Sequence, residues 1–142
     1  MIQSWVDNFH TAYVLHSLSR IIKVCPEAQE FSQSLKLGYD FWRDRFFLAD
    51  GWPKYYDGAL YPADTHAAAS AIVTLCELRS LDHEAMPLAE KIAAWLLNKM
   101  YDGQGRFYYQ RKRFYTTRTP FMRWSQAWVA YAFARLLEEK SL

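Results

Sequence analysis

The chain reads as an all-α protein: an incomplete α/α toroid of about five helices, with short β-hairpins in the connecting loops. Three observations predict it. Helices that are apolar on every side alternate with helices that are apolar on one face. The connecting loops repeat an Asp-Gly turn followed by paired tyrosines. The whole pattern recurs at roughly fifty to sixty residues, the period of stacked helix pairs.

The stretch Tyr61–Leu78, YPADTHAAASAIVTLCEL, anchors this reading. It opens on Pro62 and Asp64, which suit a helix start, and then leaves no continuous polar face, so other helices must cover it on several sides. It is too short and too often interrupted by Thr, Ser and Glu to span a bilayer. A comparable helix is expected from Asp7 to Cys25, capped by Asp7 or Asn8 and stopped by Cys25-Pro26. A third follows Pro120 and runs to about Glu139. Between them lie two one-faced helices. One runs from Pro26 to about Leu48, with Phe31, Leu35, Tyr39, Trp42 and Phe46 on its apolar side. The other begins between Asp82 and Pro87 and ends near Tyr101. The central helix extends to about Leu81 on this reading. Asp50–Leu60 is a loop with turns, and Phe107–Tyr109 with Arg113–Thr116 forms a two-stranded hairpin.

The repeats align as follows. Phe47-Leu48-Ala49-Asp50-Gly51 and Tyr55-Tyr56 match Met100-Tyr101-Asp102-Gly103 and Tyr108-Tyr109. The three inner-helix starts match as Asp7…His10, Asp64…His66 and Arg123…Gln126. The 142 residues therefore form a single domain, 1–142, of about two and a half repeats. That is too few to close a ring, and it leaves the flanks of the first and last inner helices bare. Either the chain is a piece of a longer toroid or it self-associates through those flanks, most simply as a symmetric dimer.

Composition narrows the function classes. Aromatic residues are 18% of the chain, more than a core of this size needs, so some of them line a cavity. A net charge of +2 argues against general nucleic-acid binding, although Gln104–Arg123 holds six basic residues and no acid. Cys25 and Cys76 both fall in inner helices and imply no disulfide framework. With no signal-peptide pattern in MIQSWVDNFH, a reduced, cytoplasmic setting is expected. The chain holds no phosphate-binding glycine loop, no Gly-x-Ser-x-Gly, no Cys-x-x-Cys and no aspartate cluster for diphosphate-bound metal. No metal site and no cofactor is expected.

In the toroid layout, the N-termini of the three inner helices and the long loops collect at one end. This predicts a mouth holding two Asp-His sets, Asp7 with His10 and Asp64 with His66, as candidate catalytic groups. Trp5, Asn8, Trp52, Lys54, Tyr55, Tyr56, Tyr61, Arg123, Trp124, Gln126 and Trp128 are candidate ligand-binding groups. Sugars suit such a surface, because their C–H faces stack on rings and their hydroxyls take polar groups. Uronates or sulfates suit its basic side. Asp7 and Asp64 could act as general acid and base in glycosidic cleavage, or a histidine could abstract a sugar-ring proton. Each also has a purely structural reading: the aspartates as caps, the histidines as hydrogen-bonded core groups.

Over WVDNFHTAYVLHSL, DGWPKYYDGALYPADTHAAASAIVTL and TPFMRWSQAWVAYAFARLL, the chain resembles a bacterial family of α/α-toroid proteins of the six-hairpin glycosidase-like class. No reaction is assigned to that family, which is often associated with surface-polysaccharide synthesis or modification. The resemblance covers nearly the whole chain and the C-terminal part of the family's toroid. Ala12 and Ser125 stand where that pattern has glycine. The resemblance implies a carbohydrate ligand, a pocket at the inner-helix N-termini, and the site residues named above except Trp52, Lys54 and Tyr55, which come from the loop reading. Unsaturated glucuronyl hydrolases and N-acylglucosamine epimerases share the architecture but not the motifs. The function expected is therefore hydrolase- or epimerase-like action on an acidic polysaccharide or its precursor. The alternative is a non-catalytic sugar-binding or assembly module.

Overall fold

The computed structural model describes residues 5–141, so the reading of the first four residues lies outside the described part. Five helices alternate between two layers. The inner layer is α1 (Asn8–Val24), α3 (Thr65–Glu77) and α5 (Trp128–Lys140); the outer layer is α2 (Ser32–Phe46) and α4 (Ala85–Trp95). Helix α3 lies between α1 and α5, α2 packs on α1, and α4 packs on α3. This is the partial α/α toroid the alternation predicts.

Every residue of α3 from Thr65 to Cys76 is buried. Its alanines let both neighbours approach closely: the Thr74 hydroxyl donates to the Ala12 carbonyl of α1 at 3.2 Å. The inner helices run parallel. Lys23 pairs with Glu77 and Arg79 with Glu139 at one end, and the N-termini gather at the other. Of the three, α3 alone is covered all round. Helix α1 leaves Val14, Ile21 and Val24 exposed and α5 leaves Leu137, the bare flanks expected of two and a half repeats.

Several boundaries differ from expectation, each for a local reason. The residues from Pro26 to Phe31 form a tight 3-10 segment before α2, because Cys25 is held extended by the proline that follows it. Helix α3 stops at Glu77, not near Leu81. Helix α4 continues as a π-helical turn, Leu96–Met100, and α5 is preceded by another, Met122–Ala127. The hairpin strands are β2 (Gln110–Arg111) and β3 (Thr116–Thr117), later in the chain than Phe107–Tyr109 and Arg113–Thr116. The reason is that Phe107 bridges Tyr101 while the Tyr108 carbonyl accepts from the Thr65 hydroxyl, so those residues are already engaged. A third strand, β1 (Ala63–Asp64), was not foreseen; it pairs with β2 in the order β1-β2-β3, antiparallel throughout.

The loops after the two outer helices share one hydrogen-bond pattern, in a register other than the one read from the Asp-Gly pairs. After α2, Lys54 N–H donates to Phe46 O and Leu48 N–H to Trp52 O, around a Phe47–Pro53 bridge. After α4, Tyr108 N–H donates to Met100 O and Asp102 N–H to Arg106 O, around a Tyr101–Phe107 bridge. The left-handed Gly51 (φ 86) therefore corresponds to Gly105 (φ 91), not to Gly103. Tyr55-Tyr56 corresponds to Tyr109-Gln110.

Candidate active site

The N-caps set the register of the inner-helix starts. Asp7 and Asp64 are both N-caps in extended conformation. Asp7 accepts from the N–H of His10, and Asp64 from that of Ala67. His10 therefore corresponds to Ala67, and His66 to Phe9. The two Asp-His sets expected from sequence are in fact one. Asp7 Oδ2 meets His10 Nδ1 at 2.7 Å, whereas His66 Nε2 is joined to the Tyr13 hydroxyl of α1 at 2.5 Å.

The N-termini of α1, α3 and α5 do converge, and they do so on His66. Its ring centroid lies 4.8 Å from Phe9, 5.2 Å from Trp128 and 5.3 Å from Trp124. Tyr13 stacks on Trp128 at 5.3 Å, and Phe9 lies 4.0 Å from His10. Burial, helped by His10, lowers the His66 pKa to about 4 against the opposing pull of Asp7, so its imidazole is neutral at pH 7. Asp64 is pushed the other way. Burial raises its carboxyl to about 6, with Asp7 adding to the rise; the Ala67 N–H, the Gln110 side chain and Lys112 hold it down. Tyr13 is raised to about 12 by burial and by Asp64. Burial and Asp64 also raise Tyr55 and Tyr109, with Asp7, Tyr56 and Tyr109 adding at Tyr55.

The carboxylates are not open to a ligand. Asp7 is 2% exposed and both its oxygens are occupied by His10; Asp64 is equally buried and caps α3. The expectation of a direct acid–base carboxylate pair fails on this burial. What Asp7 does is hold the exposed His10 ring by Nδ1, leaving Nε2 outward beside a cavity of about 450 Å³ lined by Trp5, Val6, Asp7, His10, Thr11 and Val14.

Several of the other expected ligand contacts are engaged within the fold. Asn8 is fully buried; it donates to Lys54 O at 2.9 Å and accepts from Trp42 Nε1 at 2.8 Å. Gln126 is engaged at both ends by the Phe107 backbone. Trp52 donates to Leu60 O and packs against Tyr61 and Trp95, and Lys54 Nζ donates to Asp57 O. Tyr55 packs on Phe9 and Tyr56, and Tyr56 on Trp5. Trp5, Arg123 and Trp124 are exposed, and Trp128 is partly so. Phe9 and Tyr13 are not among the residues expected from sequence; the spacing of Phe9, Tyr13 and His16 along one face was the available signal. The turn Lys112–Tyr115 carries two cations, and of the flanking residues Arg111 lies over Trp52 at 6.0 Å and Arg118 over Tyr108 at 5.6 Å.

Fold and site together define an α/α-toroid segment with an aromatic, histidine-bearing mouth. No protein-family model matches the chain, and no curated protein matches it in sequence. Among solved structures it is similar to the cellobiose 2-epimerase of Bacillus thermoamylovorans B4167, with a TM-score of 0.75 at 13% identity. That match takes in 97% of this chain and 40% of that one, so the chain spans well under half the length of the toroid it resembles. Among the described residues no helix is long and apolar enough to cross a membrane.

Proposed function

We propose that this chain binds a carbohydrate, an acidic polysaccharide or its precursor, at the mouth formed by the N-termini of α1, α3 and α5, and acts on it in an epimerase-like manner. The observation that carries the reading is the exposed His10, held through Nδ1 by the buried Asp7, beside a cavity that includes Trp5 and next to the ring cluster around His66. An imidazole oriented by a carboxylate and open at Nε2 suits abstraction of a sugar-ring proton. The burial of both carboxylates disfavours glycosidic cleavage by a carboxylate pair. The similarity to a cellobiose 2-epimerase fold, and the resemblance of the motifs to a family linked to surface-polysaccharide synthesis, point the same way. The basic hairpin favours acidic ligands.

The test uses hyaluronan tetrasaccharide as the acidic probe and cellobiose as the neutral one. Tryptophan fluorescence reads binding, and loss of a ring C–H proton signal in D2O reads proton abstraction. Binding with exchange that His10→Ala abolishes supports the epimerase-like reading. Binding without exchange assigns the chain as a sugar-binding module, and no binding by either probe ends the carbohydrate reading.

A further inference from the structure

We infer that the chain carries an oxyanion site outside the mouth, in a cavity between α1 and α5 centred on Arg20, and that it takes a singly charged carboxylate, free or as the acid group of a uronate. The cavity shares no lining residue with the one beside His10, so this inference stands or falls apart from the saccharide reading of the mouth.

Helix α1 carries Tyr13, His16, Arg20 and Lys23 at steps of three and four, and α5 carries Trp128, Tyr131 and Arg135 in the same way, so each set shares one face. Where Tyr13 stacks on Trp128 the two rows are aromatic. Further along both helices they turn basic. His16, Arg20, Lys23, Tyr131 and Arg135, with Glu77 of α3, line a cavity of about 310 Å³. Of the apolar residues left bare on the α1 flank, only Val24 reaches this lining.

The charges around the cavity do not cancel. Lys23 is paired with Glu77. Arg135 is paired with Glu138 and Glu139, and Glu139 also takes Arg79. Arg20 is the surplus cation, with no ion pair or hydrogen bond among the described residues. Capping the end of α1 does not account for it, because Ile21 O accepts from the Cys25 N–H and Ile22 O from Gln29. His16 Nε2 stands 3.8 Å from Glu77 Oε2, beyond hydrogen-bond reach. Burial, joined by Arg20, Arg135 and Lys23, lowers the His16 pKa against the pull of Glu77, so the ring is neutral at pH 7 and senses every charge of the cavity. One surplus guanidinium matches one carboxylate, which it can hold by two parallel N–H bonds. A dianion would set a second negative charge beside Glu77 with no cation left to meet it.

His16 is the reporter for the test. Protein labelled with 15N-histidine, with His16 assigned by His16→Gln, is titrated with sodium acetate and with sodium glucuronate at constant ionic strength, chloride making up the difference. A bound carboxylate adds negative charge beside the imidazole, so a saturable rise in the His16 pKa of roughly half a pH unit or more is expected. Arg20→Gln should weaken the Kd read from that rise about tenfold or more, as for loss of a charge-assisted hydrogen bond. Arg20→Lys, which keeps the charge but not the fork, should lie between. Lys36→Gln, which removes a cation paired on α2, should match the wild type. A response to both probes assigns a carboxylate site, and a response to glucuronate alone assigns one that also reads the sugar ring. No saturable rise with either probe in the folded wild type overturns the inference. So does a rise that a folded Arg20→Gln protein leaves unchanged.

Discussion

Asp7 and Asp64 occupy the same place in successive repeats. Each caps an inner helix by accepting the N–H three residues on, and each is bridged to the loop that leaves the next outer helix, Asp7 to Tyr56 and Asp64 to Gln110. The scaffold repeats, and the chemistry hung on it does not. Asp7 meets a histidine that looks outward; Asp64 stays enclosed, while the histidine beside it turns to Tyr13.

The buried Asp64 and His66 give opposite pH dependences. Asp64 titrates at about 6 in the fold against an ordinary value of 3.8, so its contribution to stability is full below the unfolded value and is lost as pH rises through 6. His66 titrates at about 4 against 6.5, so its contribution is present above 6.5 and lost as pH falls through 4. Each amounts to roughly 2–3 kcal/mol, and across pH 4–6 they largely cancel. Thermal melts should therefore be nearly flat over that window in the wild type. Asp64→Asn should lose stability as pH falls, and His66→Phe should gain it. Parallel curves for all three proteins would refute the assignment.

Gly51 and Gly105 are equivalent turn positions with unequal surroundings. A Cβ on Gly51 would lie 2.6 Å from the Lys91 backbone carbon, whereas nothing stands within 4 Å of one on Gly105. Both are left-handed, so alanine costs about 1 kcal/mol of backbone strain at either. Gly51→Ala must in addition push the loop off α4. Urea unfolding should show Gly105→Ala destabilised by about 1 kcal/mol and Gly51→Ala by about 3 kcal/mol or more.

This pair also shows how far the sequence could be read. Composition and periodicity were enough for the alternation of layers, because an all-round apolar stretch such as Ala67–Cys76 has one physical solution. Bare flanks on the first and last inner helices were legible as well, though not which residues would be exposed on them. Register was not. Asp50-Gly51 resembles Asp102-Gly103 in letters, but the backbone bonds follow Phe46–Lys54 and Met100–Tyr108, which carry no side-chain signature. A separate slip of one residue, at the inner-helix starts, matched His66 with His10 where the caps match it with Phe9. It hid Tyr13, whose role depends on which face α1 turns to α3. Asn8 and Gln126 read as ligand groups because a polar side chain at a helix start looks the same whether it meets a sugar or the neighbouring loop.

Asp82 ties α2 to the turn before α4. It accepts from Tyr39 Oη at 2.9 Å and from Arg43 Nη1 at 2.8 Å. Burial pushes its carboxyl up, but Arg43, the Glu84 N–H and Tyr39 outweigh that and bring it to about 2. The stability it contributes is present above 3.8 and lost as pH falls through 2. Asp82→Ala leaves the fully buried Tyr39 hydroxyl without its partner and should cost about 1–3 kcal/mol at pH 7. In acid titrations the gap between variant and wild type should close towards pH 2. A constant gap would mean the loss is one of packing, not of charge.

The bare flanks lead to the last prediction. Val14, Ile21 and Val24 are exposed on α1, and Leu97 and Leu137 at the opposite edge, with an apolar hollow of about 220 Å³ among Ala93, Leu97, Phe133, Leu136 and Leu137. In a longer toroid such edges are covered by further helices; for this chain alone, the occupant we propose is a second copy. Light scattering should then give a mass above 16.8 kDa that falls on dilution. Val14→Glu with Ile21→Glu should return the protein to monomer without unfolding it, because neither side chain belongs to the core. A wild-type protein that stays monomeric at every concentration tested would show that these edges do not pair with each other.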